Sequence, residues 1–168
     1  MNNMFSFCIN LENINLSCFD TRNVKNMSGM FWQCTKLKNI DLSSFDTRNV
    51  KYFDRMFKCC ENLKDINISN FNGQSAINIC EMFYTCRNLK NINLSSFNWP
   101  KIKNMNQTFL GCNSLYYLDL SSLNITDDVF INGIFYNCNN LEEIKVKKNG
   151  YDFIKYAIEG NINLIIAP

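Results

Sequence analysis

Cys8, Cys34, Cys60, Cys86, Cys112 and Cys138 follow one another at a single fixed interval with no drift. Scattered cysteines would not keep such a period, so the chain is an internal repeat. Periods of roughly 20–50 residues build solenoids or propeller-like arrays. Other columns keep the same phase: Phe5, Phe31, Phe57, Phe83, Phe109 and Phe135; Leu11, Leu37, Leu63, Leu89, Leu115 and Leu141; Ile14, Ile40, Ile66, Ile92, Leu118 and Ile144. Leu16, Leu42, Ile68, Leu94, Leu120 and Val146 form another, and Phe19, Phe45, Phe71, Phe97 and Leu123 one more. The methionines Met4, Met30, Met56 and Met82 continue as Thr108 and Ile134.

Within one unit the period changes. From Val24 through Met27, Met30, Phe31 and Cys34 the apolar steps are three or four, which predicts a short helix of about three turns. Ile40 and Leu42 are two apart, which predicts a strand. Ser43-Ser44 and Asp46-Thr47 supply turn and N-cap chemistry. Stacked units place equivalent strands side by side in parallel. The expected fold class is therefore an α/β repeat with one parallel β-sheet and short helices on the opposite side. No unit can bury its apolar face alone, so stability is expected from neighbours.

The repeats run over 1–146 as about six 26-residue units, and 147–168 read as a C-terminal cap. Lys147-Lys148-Asn149-Gly150 breaks the columns. Tyr151 to Glu159 predicts a helix with Tyr151, Ile154, Tyr156 and Ile158 available for burial, and Ile162 to Ile166 a last strand. The third unit departs locally: Phe71-Asn72-Gly73-Gln74-Ser75 replaces Phe45-Asp46-Thr47-Arg48-Asn49, and the valine column is expected to slip to Ile77. The chain begins inside a unit, so it is expected to be a fragment of a longer array.

Composition narrows the chemistry. There is no histidine, which removes serine–histidine and cysteine–histidine pairs and every histidine-bearing zinc site. The net charge of +2 is far from the basic excess of a nucleic-acid binder. No apolar run reaches the ~18 residues of a membrane helix. No CxxC pair occurs, so the ladder cysteines read as small core residues, reduced and inert. Cys18, Cys59 and Cys80 lie outside the apolar columns; they read as simple surface or half-buried cysteines, and of the nine they are the ones expected to react first with a thiol label. Asp41, Asp65 and Asp119 lack the clustered oxygen ligands of a calcium loop. No catalytic residue, metal or cofactor is expected.

Strand alternation turns a polar set outward: Asn39, Asp41, Asp65, Asn67, Asn91, Asn93, Tyr117, Asp119, Glu143 and Lys145. Two readings stand side by side. This face is a partner-binding surface, or its amides form an asparagine ladder that hydrogen-bonds along the stack. Tyr117 is the one large aromatic in the set, at a place where other units carry Asn, Asp or Glu.

The run Met30-Phe31-Trp32-Gln33-Cys34-Thr35-Lys36-Leu37-Lys38-Asn39-Ile40-Asp41-Leu42-Ser43-Ser44-Phe45-Asp46-Thr47 closely resembles the BspA-type leucine-rich repeat of bacterial surface proteins and lipoproteins. The resemblance covers roughly residues 4–146. It implies a right-handed leucine-rich-repeat solenoid at the cell surface or secreted, with adhesion or protein binding as its role. The implied partner is a protein or other cell-surface ligand. Cysteine-containing leucine-rich repeats of intracellular ubiquitin-ligase adaptors share the C-xx-L-xx-L-x-L phrase, but usually carry cysteine or asparagine where this chain has Phe19, Phe45, Phe71, Phe97 and Leu123. A purely structural spacer is a further reading. An enzyme of the parallel β-helix sort would need carboxylates with Lys or Arg breaking the repeat, and the irregular stretch Phe71 to Cys80 has none.

Overall fold

The computed structural model describes residues 1–94, 99–158, 160 and 162–168. The strands are β1 (Asp65–Ile66), β2 (Asn91–Ile92), β3 (Tyr117–Asp119), β4 (Glu143–Val146) and β5 (Asn163–Ile166). One helix, α1 (Tyr151–Ala157), follows a 3-10 turn at Lys148–Gly150. All pairing is parallel. Asp65 faces Asn91, Tyr117 faces Glu143 and Asp119 faces Lys145, each pair one repeat apart, and β5 adds to β4.

The expected single sheet is instead two small ones, β1-β2 and β3-β4-β5. Ile14–Leu16 and Ile40–Leu42 form no strand. The same turn closes units with and without a strand: the side-chain oxygen of Asp41 accepts the Ser43 N–H (2.9 Å), and that of Asn67 accepts the Ser69 N–H (3.1 Å). It keeps the strand positions short by bending the backbone just past them.

The expected helices opposite the sheet are absent among described residues 1–146, where turns take their place. Two columns of residues have positive φ: Asn3, Gly29, Arg55, Glu81, Gln107 and Gly133, and four positions on Phe7, Gln33, Cys59, Thr85, Gly111 and Asn137. Left-handed residues so closely spaced forbid a helix, whose φ is negative throughout. The apolar steps of three and four are met by i→i+3 turns, such as Cys34 N–H to the Phe31 carbonyl (3.1 Å). The remaining N–H groups reach the next coil. Gly29, Phe31 and Gln33 donate to the carbonyls of Asp54, Met56 and Lys58, each at 2.8 Å. These rungs repeat from coil to coil and hold the face that the helices were expected to form.

The core follows the columns. Phe31, Phe57, Phe83 and Phe109 are at most 1% exposed. With half-buried Phe5 and buried Phe135 they form one continuous stack, with centroids 5.4–6.2 Å apart and planes within 15° of parallel. Cys34, Cys60, Cys86, Cys112 and Cys138 are buried, but Cys8 is exposed, because among the described residues it has a coil on one side only. The valine column does not slip. Ala76 occupies it, buried, and Ile77 is only half-buried. Gly73 instead makes room: a Cβ there would lie 2.1 Å from the indole of Trp99, which stacks on Phe53 at 5.8 Å. In the C-terminal segment Ile154 is buried, whereas Tyr156, expected inside, is 89% exposed on the outer side of α1. Phe97 and Glu159 lie outside the described residues.

Candidate functional site

The outward residues of the strand side fall into two columns with different work. In the first, Asp41, Asn67 and Asp119 have their oxygens engaged by the N–H two residues on, at 2.8–3.1 Å. Asn15 does the same with Ser17 (3.0 Å). The amides of Asn15 and Asn67 each close their own turn. Asn93 belongs to the same column, on the exposed side. Asp119 also pairs with Lys145 across the β3-β4 register (3.5 Å). Partial burial raises the Asp119 carboxyl, but the Ser121 hydrogen bonds and the Lys145 charge outweigh it, and the net shift is down.

The second column is Asn39, Asp65, Asn91, Tyr117 and Glu143. The side chains of Asn39, Asp65 and Asn91 are exposed, with no hydrogen bond or ion pair among the described residues. Tyr117 is half-buried on β3. Its hydroxyl is held above the ordinary tyrosine value, first by burial and then by the negative Asp119 and Glu143. Next to it Tyr116 is 55% exposed and borders an open groove of about 440 Å³ lined by Lys90, Asn91, Ser114, Tyr116 and Asn140. The structure therefore brings Asn91 beside an aromatic and a lysine that the alternation did not select, while Tyr117 and Glu143 lie outside that groove. Tyr116 carried no signal, because its position is polar in the other units.

The turn side carries a second organised cluster. Lys58 lies 4.4 Å from the Tyr84 ring centroid and 5.9 Å from that of Trp32. Its ammonium and the Arg55 guanidinium both bind the Glu81 carboxylate, at 2.6 and 2.7 Å. Burial raises that carboxyl, but the two cations outweigh it and hold it below its usual range. Trp32, Lys58 and Tyr84 succeed one another at the repeat interval, so the column was visible in the sequence once read for exposed positions. With both cations bound to the one carboxylate of the next coil, the cluster reads as a brace between coils.

The thiols divide by burial. Desolvation pushes Cys34 up to about 12 and Cys138 up to about 11, and Cys60, Cys86 and Cys112 well above the ordinary value. Cys8 and Cys18 are exposed, while Cys59 and Cys80 are half-buried and shifted upward by burial. Among the described residues no group of three or more Cys, Asp or Glu is placed to hold a metal ion. Among them, too, no helix is long and apolar enough to cross a membrane.

A family model described as a Mycoplasma protein of unknown function, DUF285, matches residues 1–118 and again 58–149. A comparison with curated proteins finds no match. Among solved structures, a leucine-rich repeat protein from Bacteroides ovatus ATCC 8483 is similar at 17% identity and a TM-score of 0.33. The likeness covers 99% of this chain and spans 63% of the length of that one.

Proposed function

We propose a binding role for this chain, which belongs to the Mycoplasma DUF285 family, a leucine-rich-repeat family of broadly BspA-like kind. In this reading the chain is a non-enzymatic module of a right-handed repeat solenoid, displayed at a cell surface or secreted. It holds a protein or other cell-surface ligand on its strand side.

The observation that carries the reading is the second outward column. Asn39, Asp65 and Asn91 present hydrogen-bonding groups that the fold does not use. Asp65 and Asn91 sit in parallel register, ~4.8 Å apart. Tyr116 stands exposed beside Asn91 over the groove. Tyrosine offers a large contact area with few rotatable bonds and is enriched at interaction hot spots. Strand backbones are fixed before binding, so little ordering entropy is lost. The neighbouring column of Asp41, Asn67 and Asp119 supports the backbone of this face rather than meeting the ligand.

The test is adhesion of protein-coated beads to cells and to immobilised purified proteins. Tyr116→Ala combined with Asn91→Ala should lower binding tenfold or more. Both side chains are exposed, so the melting temperature should hold. Unchanged adhesion by that double variant would make the strand side a scaffold.

A further inference from the structure

Three successive coils build the groove that Tyr116 borders, and five residues line it: Lys90, Asn91, Ser114, Tyr116 and Asn140. Most of its polar groups are left over by the fold. The Lys90 ammonium, the Asn91 amide and the Ser114 hydroxyl have no hydrogen bond or ion pair among the described residues. Asn140 donates its side-chain N–H to the Asn113 carbonyl at 2.7 Å, which leaves its side-chain oxygen as an acceptor.

Charge and shape are both uneven along the groove. Lys90, Tyr116 and Glu142 succeed one another at the repeat interval in one column. The Tyr116 hydroxyl is turned toward the Glu142 carboxylate, and the Glu142 N–H donates to the Tyr116 carbonyl at 2.9 Å. The ring is thus tethered at its far end while the residue stays 55% exposed. None of the five lining residues is acidic. Glu142 and Asp65, which is in register with Asn91, lie outside the lining. The groove therefore presents an aromatic face, an unpaired cation on the side away from Glu142, and neutral hydrogen-bonding groups around them.

We propose that the ligand of this groove is an acidic saccharide, a sugar ring bearing a carboxylate or sulfate group; the inference rests on the strand-side reading and names the chemistry of its ligand. The C–H face of the sugar ring lies on Tyr116, whose π face is negative and attracts slightly positive hydrogens. The sugar hydroxyls, each both donor and acceptor, meet the Asn91 and Asn140 side chains and the Ser114 hydroxyl, which offer both functions. The anionic group takes a charge-assisted hydrogen bond from Lys90. The volume of about 440 Å³ lies within the range of small-ligand clefts. A neutral sugar would leave Lys90 unused. Side-chain amides and a hydroxyl set around a ring face suit a polyhydroxylated ring better than an acidic peptide.

The probes are trigalacturonate, sialyllactose and a heparin tetrasaccharide, each beside its neutral counterpart: the carboxyl-reduced trisaccharide, lactose, and the desulfated, carboxyl-reduced heparin fragment. Binding to the whole chain is read by titration calorimetry. At least one acidic probe should bind saturably, about tenfold more tightly than its counterpart, the scale of one hydrogen bond to a charged group. Lys90→Gln should erase that preference. Tyr116→Ala should weaken acidic and neutral probes alike by roughly fivefold. Both side chains are exposed, so the melting temperature should hold. Four results would overturn the proposal: no binding by any acidic probe, equal binding by the neutral counterparts, an undiminished preference in Lys90→Gln, or equally tight binding of a capped tetraglutamate, which would point to an acidic peptide. Adhesion that falls in the Tyr116→Ala, Asn91→Ala double variant while no probe binds overturns the saccharide and keeps the strand-side reading. Unchanged adhesion in that variant overturns the reading itself.

Discussion

At the scale of single residues, the ladder cysteines do more than fill space. The thiols of Cys34, Cys60, Cys86, Cys112 and Cys138 each donate to a phenylalanine carbonyl one coil back, at 2.9–3.2 Å. Alanine would fit the volume but leave the carbonyl with one bond fewer, and serine would bury a more polar group for the same bond. The buried thiols also tie stability to pH. Below the ordinary 9.0, folded and unfolded chains are both protonated, and their contribution is fully present. Above it the unfolded chain loses protons first, so stability falls as pH climbs toward about 11 for Cys138 and about 12 for Cys34. Urea midpoints should therefore drop between about pH 9 and about pH 11. Cys86→Ala should cost about 1 kcal/mol at neutral pH and flatten the alkaline fall by up to ~1.4 kcal/mol per pH unit. An identical alkaline slope in that variant would show that tyrosine and lysine titration, not the thiols, controls it.

Elements in this fold are turns more than helices or strands, and asparagine is what builds them. Three columns per unit use a side-chain oxygen to accept the N–H two residues on. Asn67 serves Ser69 at 3.1 Å, Asn72 serves Gln74 at 2.9 Å and Asn78 serves Cys80 at 3.0 Å. Only an oxygen at that reach is required, so Asp and Asn interchange in the first two columns, as Asp41 and Asn67 or Asp46 and Asn72 do, while the third alternates Asn26, Asn78 and Asn104 with Tyr52 and Phe130. Asn15, Asn26, Asn67, Asn72, Asn78 and Asn104 all work in this way. Asn67→Asp should leave stability within about 0.5 kcal/mol, whereas Asn67→Ala should cost about 1 kcal/mol by chemical denaturation. Equal costs would mean that the amide N–H₂, and so an asparagine ladder, matters after all. The period and the buried columns were legible in the sequence because burial depends only on which residues recur in phase. The helix reading failed at Gln33, Cys59 and Thr85. Apolar steps of three and four fit i→i+3 turns as well as a helix, and nothing in a glutamine or threonine announces positive φ. For the same reason the outward face was legible as a surface, while the split between its turn-closing column and its open column was not. That split depends on backbone bends visible only in three dimensions.

For the whole molecule, stability resides between coils rather than within them. The rungs, thiol bonds and ring stacks join residues one coil apart, so removing a side chain weakens an interface on each side of its coil. Phe83 shows this at the centre. It is 1% exposed and stacks on Phe57 at 5.6 Å and Phe109 at 5.9 Å. Phe5, half-buried at the end, has one stacking neighbour, Phe31, and an edge contact with Phe19 at 6.1 Å. Phe83→Ala should cost about 3–5 kcal/mol, the range for truncating a buried aromatic. Against a typical total of about 5–15 kcal/mol, that is a large share. Phe5→Ala gives up less area and one stack, and should cost about 1–2 kcal/mol. Denaturant titration followed by two probes separates the cases further. A probe in the first coil and one near β4 should report one transition in the unmodified chain. In Phe83→Ala they should part, because the interrupted ring stack no longer couples the two halves. A single shared transition in that variant would show that the rungs and the thiol ladder carry the coupling without the rings.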